Sequence, residues 1–238
     1  MIKPLSISDP AFSALVRELR VCCDCPEIGL AAFSGASSWR DCEERLTGLV
    51  ASSTSSNALS VAHDARRAPY LQDPSGEERR DLLLSLSDEG DRLAAAWARV
   101  EEGSPLMGLG IDLCAANRFE ARPGRRNRAK LLLTERERAL APSLWPDNLP
   151  LAHATLFAAK EAAFKATAAP LRRWYEKHDD ELRYGVRHFV MDEPLLMSGT
   201  GRDGTAQRAL EAMGIARIEV RYAQLDGIAI VVACALAY

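Results

Sequence analysis

Gly110-Ile-Asp-Leu-Cys-Ala-Ala-Asn-Arg-Phe119 and, downstream, Phe157-Ala-Ala-Lys-Glu-Ala-Ala-Phe-Lys165 are the two stretches whose reading decides the fold of this chain. The apolar lead-in from Met107 to Ile111 reads as a buried strand that delivers Asp112 near its end, and the second stretch reads as a helix. On that helix Glu161 and Lys165 are i,i+4 neighbours and leave one face together, with Lys160 about 100° around the axis from Glu161. A carboxylate from a strand and another from a helix can share one hard divalent cation. Mg²⁺ takes one or two carboxylates together with phosphate oxygens, and the lysines would then address the phosphates. Taken singly, a Glu-x-x-x-Lys pair is a solvated helix pair contributing a few tenths of a kcal/mol, and an Asp after a strand caps a turn. Their order, and the 49 residues from Asp112 to Glu161 (161 − 112), single them out.

Bulk properties are permissive. The chain has 238 residues, of which 47% are hydrophobic and 26% charged, enough to bury a sizeable core in one or two domains. A net charge of −3 gives no general argument for nucleic-acid or membrane binding. The apolar run after Gly227 is shorter than a bilayer needs and rich in β-branched residues, so it reads as a core strand. No signal-peptide pattern opens the sequence, and the cytoplasm is the expected location. Cys22-Cys23-Asp24-Cys25, with Cys42, suggests a metal cluster at first sight, but adjacent cysteines lack the usual ligand spacing and no histidine falls in a regular partner position. Free thiols in a reducing compartment are the expectation.

Further along, Tyr184 to Met191 reads as a strand, Asp192-Glu193-Pro194 as a turn, and Leu195 to Ser198 as another strand. Thr205 to Met213 then reads as a helix, and Ile218 to Tyr222 with Ile228 to Ala235 as a closing hairpin. The first hundred residues echo this pattern. Asp81 to Ser87, a turn at Asp88-Glu89-Gly90-Asp91, and Arg92 to Val100 share the hairpin's rhythm, while Glu27 to Phe33 echoes the strand that holds Asp112. The expected fold is therefore α+β, built from two similar halves, 1–105 and 106–238, that meet at a Glu/Gly/Ser/Pro stretch from Glu101 to Pro105.

Together these residues resemble the 4′-phosphopantetheinyl transferases. Leu133-Thr134-Glu135-Arg136-Glu137 is similar to the Phe-Thr-x-x-Glu turn of the compact holo-acyl-carrier-protein synthases, and that likeness spans roughly Gly108 to Tyr238. The whole chain resembles the larger, surfactin-type enzymes, which are pseudo-dimers; Arg67-Ala-Pro-Tyr-Leu71 and Leu84-Ser-Leu-Ser87 look like their N-terminal half. The resemblance implies Mg²⁺-dependent transfer of 4′-phosphopantetheine from coenzyme A to a serine of an apo acyl or peptidyl carrier protein of fatty-acid, polyketide or peptide synthesis. It implies Asp112 and Glu161 as metal ligands, Glu161 and Lys165 as catalytic groups, and Lys160, Lys165 and Arg67 as coenzyme contacts, with Arg92 a further candidate as the cation that would offset Asp88. Arg118 resembles the arginine that contacts the carrier, and Arg122, Arg125, Arg126, Arg128 and Lys130 extend it into a basic patch suited to steering acidic carriers. Neither nucleic acid nor membrane is an expected partner.

Departures from the pattern are specific. Asp88 stands where the larger type has a phosphate-contacting histidine, and no histidine stands near Ala223 in the second hairpin. Cys114 and Ala115 occupy the positions of further acids, and Leu156 replaces an arginine. These losses support an alternative, a transferase-fold protein of weak or no activity that serves as a carrier-binding or partner subunit.

Overall fold

Gly90 and Gly227, both at positive φ (66° and 75°), turn the chain in two long antiparallel hairpins, a conformation that glycine adopts without a Cβ clash. The structure is a computed structural model describing residues 3–5, 10–25, 27–34, 39–53, 58–121, 126–179, 182–199 and 204–238. The first part of the chain runs β1 (Lys3–Leu5), α1 (Pro10–Cys23), β2 (Ile28–Ser34), α2 (Trp39–Ser53), β3 (Ser60–His63), β4 (Pro69–Gln72), β5 (Leu82–Glu89) and β6 (Arg92–Arg99). The second runs β7 (Leu106–Ala115), α3 (Arg128–Leu132), α4 (Glu135–Leu144), α5 (Leu149–Ala166), α6 (Ala168–Tyr175), β8 (Val190–Glu193), β9 (Leu196–Ser198), α7 (Thr205–Ala212), β10 (Ile215–Leu225) and β11 (Ile228–Ala237).

The two parts repeat one plan. β2, β6 and β5 lie side by side in one sheet as β7, β11 and β10 do in the other, so in each the opening strand pairs with the second strand of the closing hairpin. Both pairings are antiparallel, with Gly29 opposite Trp97 in the first and Asp112 opposite Val231 in the second. β1 widens the first sheet, β9 and β8 widen the second, and β3 and β4 form a separate pair. The fold is α+β with two alike halves.

The sheets meet where β5 runs beside β7, and serine hydroxyls replace a backbone ladder there. The Ile111 amide donates to Ser85 Oγ at 3.0 Å and the Leu113 amide to Ser87 Oγ at 3.2 Å. Side chains alternate across β7. Leu109, Ile111 and Leu113 join Leu15, Leu19, Leu30, Ala96, Ile230 and Val232 in a core shared by both sheets, while Cys114 belongs to the core beneath α5.

α5 lies directly on β7 because both surfaces are small. Ala158, Ala159, Ala162, Ala163 and Ala166 are fully buried, and a Cβ on Gly110 or Gly108 would collide with the carbonyl oxygen of Ala162 or Ala166. That contact sets the helix carboxylate and lysine beside Asp112. Gly110→Ala should therefore cost about 1–3 kcal/mol in chemical denaturation, the usual penalty for overpacking a close contact.

Two sequence expectations shift. The predicted strand from Tyr184 is instead a 3₁₀ turn at Val186–His188 followed by β8, because the Gly185 amide donates to His188 Nδ1 (2.9 Å) and curls the chain. The turn predicted at Asp88–Asp91 narrows to Gly90 and Asp91, since Asp88 and Glu89 still pair with Leu93 and Arg92. No described helix is long and apolar enough to cross a membrane.

Candidate active site

Asp112, buried on the second sheet's edge strand, is held by two side chains, one from each half. Lys165 Nζ bonds Asp112 Oδ1 at 2.7 Å and the Ile111 carbonyl at 3.0 Å. Ser87, from the other half, donates its hydroxyl to the same Oδ1 at 2.9 Å while its oxygen accepts the Leu113 amide. One serine thus links the two sheets to the carboxylate. Nothing in the sequence marked Ser87 for this beyond its place in Leu-Ser-Leu-Ser.

Glu161 projects from α5 toward this point without being neutralised. It is partly buried, and among the described residues it has no hydrogen-bond or ion-pair partner. Burial, and then the negative charge of Asp112, push its carboxyl above the usual range, with Lys165 and Arg118 opposing. Asp112 is likewise raised, by burial first, against the pull of Lys165 and the Ser87 hydrogen bond. Two raised carboxylates, the second lifted in part by the charge of the first and without a partner among the described residues, form a donor set suited to a hard divalent cation. Asp112 and Glu161 fit Mg²⁺ in this respect, with water completing its shell.

Lys165 opens into a cleft of about 1220 Å³ between the halves, which Arg67, Asp88, Arg172, Tyr175 and Tyr184 also line. Arg67 reaches it from the β3–β4 turn at a positive φ of 65°. Sequence reasoning missed Arg172. Its guanidinium pairs with Asp64 (3.4 Å) and Glu78 (2.9 Å), yet its buried Nε has no partner among the described residues. Arg66 stacks over the Tyr175 ring at 4.3 Å on the same side of the cleft.

The other expected residues sit elsewhere. Lys160 is turned into the core, 2% exposed, and its Nζ bonds both oxygens of Glu137 at 3.1 and 3.0 Å. It does not face a phosphate: position 160 lies on the buried face of α5, and Glu137, through the α4 capping box with Thr134, waits there. Arg92 bonds the Leu225 carbonyl (3.3 Å) and Asp226 (3.1 Å), joining the two hairpin turns away from the cleft and from Asp88. Arg118 pairs with Glu89 at 3.0 Å and lies over the Phe157 ring at 5.5 Å. With Arg126 and Arg128 it borders a shallow hollow of about 400 Å³, whereas Arg122 and Arg125 lie outside the described residues.

Residues 108–186, the span from β7 to the 3₁₀ turn after α6, match the profile described as ACPS, 4′-phosphopantetheinyl transferase superfamily. The likeness to that superfamily is a property of this segment, about a third of the chain. The segment holds Asp112, Glu161, Lys165, Lys160 and Arg118. Among solved structures, the chain is similar to the holo-ACP-synthase of Plasmodium yoelii, at 20% identity over 56% of this chain and 96% of that one, with a TM-score of 0.37. It is also similar to the holo-[acyl-carrier-protein] synthase of Neisseria meningitidis, at 19% identity over 55% and 98% of the two chains, with a TM-score of 0.39. No curated protein matches the chain.

Proposed function

We propose that the chain transfers 4′-phosphopantetheine from coenzyme A to a serine of an apo acyl or peptidyl carrier protein, as a Mg²⁺-dependent enzyme of the holo-acyl-carrier-protein synthase type. The observation that carries this reading is Glu161, without a partner among the described residues and beside Asp112, with the lysine that bonds Asp112 opening into a nucleotide-sized cleft. The halves 1–105 and 106–238 divide the work: the first supplies Ser87 and one wall of the cleft, the second the carboxylates and Lys165.

In this mechanism the serine hydroxyl attacks the β-phosphorus of coenzyme A, forming a serine phosphodiester and releasing 3′,5′-adenosine bisphosphate. Mg²⁺, held by Asp112 and Glu161, would supply charge neutralisation at the pyrophosphate. Glu161 takes the serine proton, directly or through water. Lys165 neutralises phosphate oxygens or protonates the leaving group. Arg67, from the first half, and Arg172, from α6, line the same cleft as Lys165 and face the phosphates there, a place that neither Lys160 nor Arg92 occupies. Arg118 meets the acidic carrier at the rim. The cytoplasm, where carriers and coenzyme A are found together, is the proposed location.

Transfer itself is the test. Incubated with the chain, coenzyme A and Mg²⁺, an apo carrier should gain the mass of one phosphopantetheine; a carrier that stays apo while binding the chain tightly supports the inactive-subunit reading instead.

Asp88 offers a second check, because it is exposed at the cleft wall where its charge opposes a phosphate. Asp88→His removes that charge and adds a donor. An exposed pair is worth up to about 1 kcal/mol, so coenzyme A affinity measured by calorimetry should rise about fivefold. Unchanged or weaker binding would mean that Asp88 turns away from the phosphates.

A further inference from the structure

Away from the cleft, the fold gathers three thiols at one point. Cys22 and Cys23 close α1 and Cys234 lies on β11, and their sulfur atoms all fall within 4.8 Å of one another. Cys22 Sγ and Cys23 Sγ are 3.3 Å apart. Cys23 and Cys234 are fully buried, while Cys22 is partly open to solvent. The sequence spacing concealed the cluster, since its third member comes from the last strand.

Their neighbours differ. Cys25 gives its proton to the Arg99 carbonyl at 3.2 Å, and Cys114 lies on the opposite side of β7, under α5. Cys23 and Cys234 belong to the apolar core that also holds Leu15, Leu19 and Val232. Among the described residues no histidine or carboxylate completes the group, so its chemistry is sulfur alone.

We propose that Cys22, Cys23 and Cys234 form a three-sulfur site for one thiophilic d¹⁰ cation, distinct from the carboxylate site. Three sulfurs about 2.3 Å from a shared centre stand about 4.0 Å apart, which the observed cluster meets with small side-chain adjustments. Thiolates select soft cations of the Cu(I) and Zn(II) kind, whereas Mg²⁺ demands oxygen. Binding displaces the thiol protons to solvent, with no change of oxidation state. The ion would clasp α1 of the first half to β11 of the second. The open side of Cys22 is the entry path.

The test is a Cd²⁺ titration of the metal-free, full-length protein under a phosphine reductant, following thiolate-to-cadmium absorption in the ultraviolet. Absorption should saturate at one ion per chain, in the presence of excess Mg²⁺, and the thermal midpoint should rise with it. Cys22→Ser and Cys234→Ala should each weaken binding by about 100-fold or more, while Cys25→Ala and Cys114→Ala leave it intact. Should buried Cys234→Ala fail to fold, the more exposed Cys22→Ser decides alone. Absence of saturable binding, or wild-type affinity in a folded Cys22→Ser protein, overturns the site. Neither outcome bears on phosphopantetheine transfer, whose groups lie across the sheet.

Discussion

Lys160→Met should destabilise the protein by about 3–5 kcal/mol, because it strands a carboxylate that has no access to water. Glu137 is 0% exposed, and besides both Lys160 contacts its oxygens accept the Thr134 amide at 2.8 Å and the Met191 amide at 3.3 Å. Two backbone donors do not neutralise a buried charge. The double variant Lys160→Met, Glu137→Met removes the charge along with its partner and should recover most of the loss. Urea denaturation of the four proteins measures the coupling, and additive single effects would refute the pairing. The same variants separate two roles for Lys160. Under conditions where it remains folded, Lys160→Met should bind coenzyme A like the wild type, whereas a phosphate contact would show as lost affinity with the fold intact.

Glu161→Gln should lower transfer by about 100-fold or more, the several kcal/mol that a charge-stabilising cation contributes, and yet make the metal-free protein more stable. The sign follows from the raised carboxyl. A group whose pKa is higher folded than unfolded contributes stability that is fully present below its unfolded pKa and is lost as pH rises through the folded value. Burial and Asp112 raise Glu161 in the fold, so the wild type loses stability as pH climbs above the ordinary carboxylate range. Glutamine does not titrate, and this part of the loss disappears. Thermal denaturation across that range should show the variant above the wild type toward neutral pH. Asp112→Ala should abolish transfer as well, but without the same gain, since it also frees Lys165 and Ser87 from their shared acceptor.

How much of this was legible from sequence can be followed residue by residue. β7 and β11 are largely apolar runs, and Gly227, which turns β10 into β11, has a backbone reason to be there, so the core of the second half was readable. The approach of Asp112, Glu161 and Lys165 was readable too, since i,i+4 spacing fixes a helix face and Gly110 permits close packing. Periodicity does not say which helix face is wet. Lys160 illustrates this, because its burial depends on Glu137 arriving from α4. α1 and α2 lie in the stretch where only the hairpin echo stood out, and α1 closes with the very cysteines whose partner is on the last strand. Ser85 and Ser87 looked like a strand fragment, and only the meeting of two sheets edge to edge gives their hydroxyls work.

The central claim is that Asp112 and Glu161 form a cation site that serves coenzyme A, and calorimetry of coenzyme A binding with and without Mg²⁺, in wild type and in folded Glu161→Gln, tests it most directly. The account predicts tight binding by the wild type that depends on Mg²⁺, and weak binding by the variant that Mg²⁺ does not improve. Equal affinity in all four titrations would contradict it.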